Sequence, residues 1–267
     1  MVPFTRNIDD YPEGIVLVID KPYRWTSADV IRKVKYAACR HFGKKNLKVG
    51  HAGTLDPLAT GILLVCLGKA TKRAEELQSH EKQYLAGVSF GATTPSYDLE
   101  KEIDRTFPLD SVSEESIKAI LPQFVGEQMQ VAPLFSAKSI DGVRAYETAR
   151  KLFKQGRLED AGDLIRASRI TITELSVERY TEEPIPAPIP DEHSRINVAD
   201  VSGYDLKTAD ILVGCSKGTY IRALARDLGE ALGSGAFLSS LRRTKVGEYD
   251  IKDALTMDQV MELLPLQ

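Results

Sequence analysis

The chain has 267 residues, 43% hydrophobic and 27% charged, with a formal charge of -3; these values exclude disorder over the whole length and, taken as a total, a binder held by overall positive charge. Three cysteines, Cys39, Cys66 and Cys215, lie far apart in sequence and fit neither a CxxC zinc site nor a disulfide framework. No run approaches 18 apolar residues and no apolar segment opens the chain, so a soluble protein of the reducing cytoplasm, with no membrane partner, is expected.

Gly14–Asp20 is a short, β-branched apolar run that predicts a buried strand ending at Lys21-Pro22. Ser27 is then the expected cap of a helix in which Val30, Ile31, Val34, Ala37 and Ala38 recur at helical spacing. Gly61–Leu67 and Lys82–Phe90 predict further strands, and residues 91–112 an acidic loop. Ser113 caps a helix carrying Ile117, Ile120, Leu121 and Phe124, and Gln128–Val131 reads as a strand. Arg144–Gln155 is helix-like. Arg169–Tyr180 predicts a strand with a local offset, since Ile170 and Ile172 are followed by Leu175 and Val177. Pro184, Pro186, Pro188 and Pro190 cannot sit in a central strand, so residues 181–207 are expected to be a long exposed excursion. A strand at Ile211–Cys215, a helix at Thr219–Leu232, a strand at Arg242–Tyr249 and a short helix capped by Thr256 and Gln259 complete the chain. Hairpin-linked strands without regular βαβ alternation indicate an α+β fold with a mixed, mainly antiparallel central sheet flanked by helices.

The charge is segregated. Residues 20–48 hold nine Lys/Arg against two acids, and residues 136–157 six against two, whereas residues 98–115 hold seven acids against two bases. Two basic zones suit a polyanion docked on one face, because screening within about 8 Å makes local charge matter more than the total; solvated helix faces are the plainer alternative.

The chemistry-bearing stretch is Gly50–Gly61, in which glycines frame one imidazole, His51, and one isolated carboxylate, Asp56. Asp56-Pro57 suits either a helix N-cap followed by proline or a carboxylate that a substrate can approach closely. In Cys215–Arg222, a strand-to-helix junction, Arg222 falls in the first helical turn, where a cation opposes the helix dipole. A carboxylate should compensate, and Asp56 is a candidate. Tyr84 and Tyr220 are either core aromatics or platforms for a base. Walker A, GxSxG, HExxH and GxGxxG motifs are absent, and the four histidines are dispersed, which sets zinc catalysis aside.

With these stretches in view, the chain resembles the TruB family of tRNA pseudouridine synthases. The match runs in order through Gly14–Pro22, Gly50–Gly61, Lys82-Gln83-Tyr84, Cys215–Arg222 and Leu241-Arg242-Arg243, covering about residues 13 to 250. The resemblance implies the pseudouridine synthase fold. It implies that Asp56 is the catalytic aspartate, that Tyr84 packs on the target uracil and acts as base at C5, and that Arg222 pairs with Asp56. Tyr220, Leu241, Lys21 and Lys82 join the substrate site, and His51 fills the gap left by a flipped nucleotide. The implied substrate is the uridine at position 55 in the T-arm stem-loop of tRNA, converted by a monomer that uses no metal and no small-molecule cofactor. Residues 131–157 resemble a thumb that closes over RNA, with Ser136-Ala137-Lys138 to Tyr146 matching it. Arg32, Lys33, Lys44, Lys45, Lys138, Arg144 and Arg150 are the candidates for the RNA backbone. Relatives in the family commonly carry a C-terminal PUA domain. Only 18 residues follow Tyr249, so the expected organisation is a catalytic domain over residues 1–250 and a helical extension over 251–267. An RNA-folding protein that kept the fold without catalysis is the competing reading from the basic zones; a glycoside hydrolase would need a second positioned acid, absent from the motifs.

Overall fold

The computed structural model describes residues 2–135, 139–140, 143–144, 151–152, 155 and 166–266. The chain forms two compact units, one of residues 1–85, 191–196 and 241–267, the other of residues 86–190 and 197–240.

In the first unit, β1 (Ile15–Lys21) pairs antiparallel with β3 (Ala59–Leu67), from Ile15 opposite Leu67 to Lys21 opposite Gly61. The other edge of β3 is divided. Its C-terminal half takes β2 (Val49–Ala52) antiparallel, and Ala59–Gly61 takes Leu241–Arg243, from a strand completed below, in parallel. Being central, β3 is buried on both faces, which is why its sequence is a continuous apolar run rather than an alternating one. Leu63, Val65 and Leu67 pack with Val30, Val34 and Ala38 of α1 (Ser27–His41), whereas Ile62, Leu64 and Cys66 pack with Ala52, Leu77 and Val246. Each buried Val, Leu or Ile among them contributes about 1.5–3 kcal/mol by leaving water. The cap of α1 is Thr26, one residue before the expected Ser27: Thr26 Oγ1 accepts from Asp29 N at 3.0 Å while Asp29 Oδ2 accepts from Thr26 N at 3.0 Å, a closed capping box. Ser27 is thereby released for a different task.

α2 (Ala74–Ser79) leads into β4 (Lys82–Phe90), along which the chain crosses from one unit to the other. The second unit then contains the short pair β5 (Ala92–Thr93) and β6 (Arg105–Thr106), so the acidic stretch is not wholly loop. It continues with α3 (Glu114–Ile120), β7 (Gly126–Gln130), β8 (Ser139–Ile140) and β9 (Val143–Arg144). The β8–β9 pair is antiparallel, so Arg144 begins no helix. β10 (Ser168–Thr181) pairs antiparallel with β7 on one side and with β11 (Lys207–Cys215) on the other, and its register shifts between Ile172 and Glu174 and again between Val177 and Arg179. These bulges are the offset in the apolar pattern. Residues 182–206, between β10 and β11, hold no helix or strand, as the prolines require.

α4 (Ile221–Ala231) starts two residues later than expected. Tyr220 is its N-cap, and its backbone is held by Gln130 of β7, whose Oε1 accepts from Tyr220 N at 2.8 Å and whose Nε2 donates to Tyr220 O at 3.2 Å. The chain returns to the first unit along β12 (Ala236–Val246), which turns into β13 (Tyr249–Asp250), and α5 (Met257–Leu263) closes it with the expected Thr256/Gln259 box. The pairings thus make a mixed, mainly antiparallel sheet with flanking helices.

Gly61 stands where β1, β3 and β12 meet, at φ +96°, and an added Cβ would lie 2.2 Å from the Arg243 carbonyl oxygen. Substituting Gly61→Ala is expected to cost at least about 3 kcal/mol, from strained φ and forced separation of two strands. Urea unfolding measures it; a loss within about 0.5 kcal/mol would contradict the tight junction.

Candidate active site

Asp56 lies in the turn between β2 and β3, where Ala59 N donates to Asp56 O at 3.1 Å. The chain enters β3 rather than a helix, so Asp56-Pro57 is not a helix cap. The carboxylate is half-buried and sits on a backbone pinned from three directions. From α1, Ser27 Oγ donates to Leu55 O and accepts from Leu55 N, both at 3.0 Å. From β12, the buried Arg243 donates through Nη2 to Gly53 O at 3.0 Å and through Nε to Ile62 O at 2.7 Å, with Nη1 3.5 Å from Thr54 O. From β1, Lys21 Nζ donates to Pro57 O at 3.2 Å, to Trp25 O at 2.5 Å and to Pro22 O at 2.9 Å. A loop with this many outside anchors on its carbonyls holds one shape, because breaking any of them strands a buried polar group.

The electrostatics follow from burial. Lys21 is fully buried, and desolvation lowers its pKa from 10.5 to about 8, against the pull of the Asp56 charge and with a further push from Arg243. His51, on β2 opposite Val65, has its pKa lowered by burial first and by Arg243 second, so it stays neutral at physiological pH. Its Nδ1 is buried with no hydrogen-bond partner among the described residues. Leu241 stands opposite Ala59, three residues beyond Asp56. Beside it, Arg242 Nη2 contacts Asp20 Oδ2 at 2.7 Å while Asp20 Oδ1 accepts from Gly61 N at 3.1 Å, which fixes the strand entry. Tyr84 is buried on β4, and Lys82 Nζ donates to the carbonyls of Gln78 and of His80, the latter at 2.6 Å. The first unit therefore brings Lys21, His51, Asp56 and Leu241 around one turn.

Tyr220 and Arg222 belong to the second unit. The Arg222 guanidinium is buried; its Nη1 donates to Ser96 O at 3.0 Å, its Nη2 to Phe135 O at 2.9 Å, and its Nε lies 3.7 Å from Asp98 Oδ2. Asp98 thus supplies a carboxylate against the unfavourable dipole of α4, and is itself fixed by Ser96 Oγ at 2.6 Å and Glu100 N at 2.9 Å. Of the basic candidates, Arg32 is exposed and pairs with Asp29 at 2.8 Å, Lys33 lies over Trp25, Lys44 pairs with Asp9 at 3.0 Å, and Lys45 is exposed. Lys138 and Arg150 lie outside the described residues, as does most of the thumb at 131–157, and of Arg144 only the backbone is described. Sequence reasoning missed Ser27 as a loop anchor, Arg243, Gln130 and Asp98. Arg243 carried a signal, a cation in an otherwise β-like run adjoining a motif leucine, but its carbonyl partners are distant in sequence. Among the described residues no cluster of His, Cys, Asp and Glu is arranged to hold a metal ion, and no helix is long and apolar enough to cross a membrane.

The turn and its anchor Arg243 lie inside regions that match known families. Residues 40–185 match the model of the TruB family pseudouridylate synthase N-terminal domain, and residues 222–266 that of the tRNA pseudouridylate synthase B C-terminal domain. The chain is 45% identical over 258 residues to a protein of Phocaeicola vulgatus named tRNA pseudouridine synthase B, covering 97% of this chain and 96% of the relative. It is 46% identical over 259 residues to the protein of that name from Bacteroides thetaiotaomicron, again covering 97% and 96%. Among solved structures, a chain in the archaeal box H/ACA sRNP Nop10-Cbf5 complex matches with a TM-score of 0.59 at 22% identity, which shows a shared fold. The match covers 96% of this chain and 55% of that one, so this chain spans about half its length.

Stability should report the buried ammonium. Between about pH 8 and 10.5 the unfolded chain holds the Lys21 proton that the folded chain has released, so stability contributed through this group rises with pH across that window. Comparing urea unfolding of wild type with Lys21→Met, wild type should gain relative to the variant by up to about 3 kcal/mol from pH 8 to 10.5. A flat difference would mean that the folded-state pKa is unshifted.

Proposed function

The chain belongs to the TruB family of pseudouridylate synthases, and from that premise we propose that it isomerises the T-loop uridine of tRNA, position 55, to pseudouridine in the cytoplasm, as a monomer. The observation that carries the reading is the turn at Asp56: one carboxylate on a backbone whose neighbouring carbonyls are held by Ser27, Arg243 and Lys21.

Pseudouridine formation breaks the N1–C1′ bond, turns the uracil, makes a C5–C1′ bond, removes the C5 proton and returns a proton to N1. Atoms and electrons balance without water or an oxidant. A single carboxylate can open the sequence by attack on C1′, by attack on C6, or by taking the C2′ proton. A rigid loop favours any of these routes, because the nucleophile meets the sugar or base without rearranging. Tyr84 supplies a flat face for the uracil and a phenol oxygen to take the C5 proton, and Tyr220 and Leu241 line the same base. Arg222 completes the catalytic set and Lys82 the substrate-binding one. Lys21 places positive charge near the Asp56 carboxylate, where it attracts the negative charge that the reaction uses. The target base must leave the T-loop stack at a cost of a few kcal/mol. His51, neutral, fits the resulting gap without bringing a charge into it.

The decisive experiment is isomerisation of a T-arm RNA hairpin by wild type and by Asp56→Asn. The variant should lose turnover by at least about a thousandfold while binding RNA within about threefold of wild type, since the exchange alters the reacting atoms and leaves the backbone anchors in place. Full activity in the variant would remove Asp56 from the reaction.

The basic zones carry a second expectation. Replacing Lys44 and Lys45 together by alanine should reduce the slope of log affinity for tRNA against log salt by about 1.5, two phosphate contacts fewer. An unchanged slope would identify these lysines as solvated surface.

A further inference from the structure

The proline-bearing excursion has no part in the reaction described above, yet residues 191–196 belong to the first unit. They lie against the start of α1 and, with Arg24, Trp25 and Tyr36, enclose an open cleft of about 910 Å³. The walls are of two kinds. Lys33 and Arg195 bring exposed cations, and Trp25 and Tyr36 bring flat aromatic faces, that of Tyr36 being 55% exposed. The two kinds are interleaved: Lys33 Nζ lies 5.2 Å from the centroid of the Trp25 ring, and the Arg40 guanidinium lies 5.2 Å from that of Tyr36. Of the acids in the cleft, Asp29 is already engaged by Thr26 and Arg32, leaving the balance positive. Arg24, in the lining, is held at φ +62°, a conformation uncommon for a non-glycine residue.

Cations beside aromatic faces are the combination by which proteins grip unpaired nucleotides, the phosphate on the charge and the base on the ring. An acidic peptide would satisfy the cations and leave the rings unused. The cleft also shares an anchor with the catalytic turn, because Lys21 Nζ donates both to Trp25 O and to Pro57 O.

We propose that the excursion tip Asp191–Ile196, Trp25 and the face of α1 that carries Lys33 and Tyr36 form a second RNA subsite, which takes an unpaired nucleotide of the substrate with its base against Trp25 and Tyr36 and its phosphates on Lys33 and Arg195. The subsite rests on the reading of this chain as an enzyme acting on tRNA and adds to it a contact outside the reacting uridine. It gives the excursion a role: by supplying Arg195 it makes a partly aromatic helix face into a two-walled cleft.

Trp25 is the single tryptophan of the chain and reports on its own cleft. The probe is tetra-adenylate, which has no uridine to enter the catalytic turn. Titration should quench the indole emission saturably, and Tyr36→Ala should weaken half-saturation about tenfold. The charge reversals Lys33→Glu and Arg195→Glu, both at exposed positions, should each weaken it by a similar factor. Absence of saturable quenching, or unchanged affinity in both reversals, would overturn the subsite. Equal quenching by hexaglutamate would also overturn it, in favour of a protein partner. Turnover of the T-arm hairpin by the same wild-type preparation separates the two claims: turnover without quenching ends the subsite alone, and quenching without turnover ends the isomerase reading alone.

Discussion

The buried guanidinium of Arg243 is the contact on which the turn at Asp56 depends. It reaches from β12 across to Ile62 O of β3 and on to Gly53 O, with Thr54 O beside it, so one side chain joins the strand that leaves the turn to the backbone that enters it. The arrangement requires the strands to lie unusually close, and Gly61 is what permits that, since a Cβ there would overlap the Arg243 backbone. A guanidinium suits the task better than an ammonium because its planar fork presents several donors in fixed directions. With 2% of its surface exposed, the side chain stays buried only because carbonyls meet its donors.

Around that contact the turn is an exercise in placing charge. Lys21 is buried in full, Arg243 nearly so, and Asp56 is the only carboxylate between β2 and β3. Burial is the main cause of the lowered pKa of Lys21 and of His51, and the Arg243 charge adds to it in both. The groups that fix the backbone are thus the ones that carry buried charge.

Much of this was legible in the residues. The continuous apolar run of β3, the helical spacing of α1, the bulged alternation of β10 and the Thr256/Gln259 box each gave its element, since each rests on local periodicity or local capping. The motif Gly50–Gly61 stood out because glycines and an isolated carboxylate are unusual together, and Cys215–Arg222 because it sets an arginine at the start of a helix. What was misplaced was displaced by long-range competition. Ser27 surrendered the cap of α1 to Thr26 because its hydroxyl is engaged by Leu55, 28 residues away. The start of α4 moved to Ile221, after Tyr220, because Gln130, 90 residues earlier, holds the Tyr220 backbone. No pattern within a short window contains either partner.

The sequence by itself determined the α+β class, the order of the main strands and helices, the carboxylate at position 56 and the proline-bearing excursion between β10 and β11, all consequences of local periodicity, backbone stereochemistry and composition. Only the tertiary structure decided that Asp56 leads into a strand rather than a helix, that Asp98 lies against Arg222, and that Arg243 and Ser27 hold the turn. It alone brought Asp191–Ile196 to the aromatic face of α1. These are contacts between residues remote in sequence, and they form where burial leaves a polar group no partner nearer along the chain.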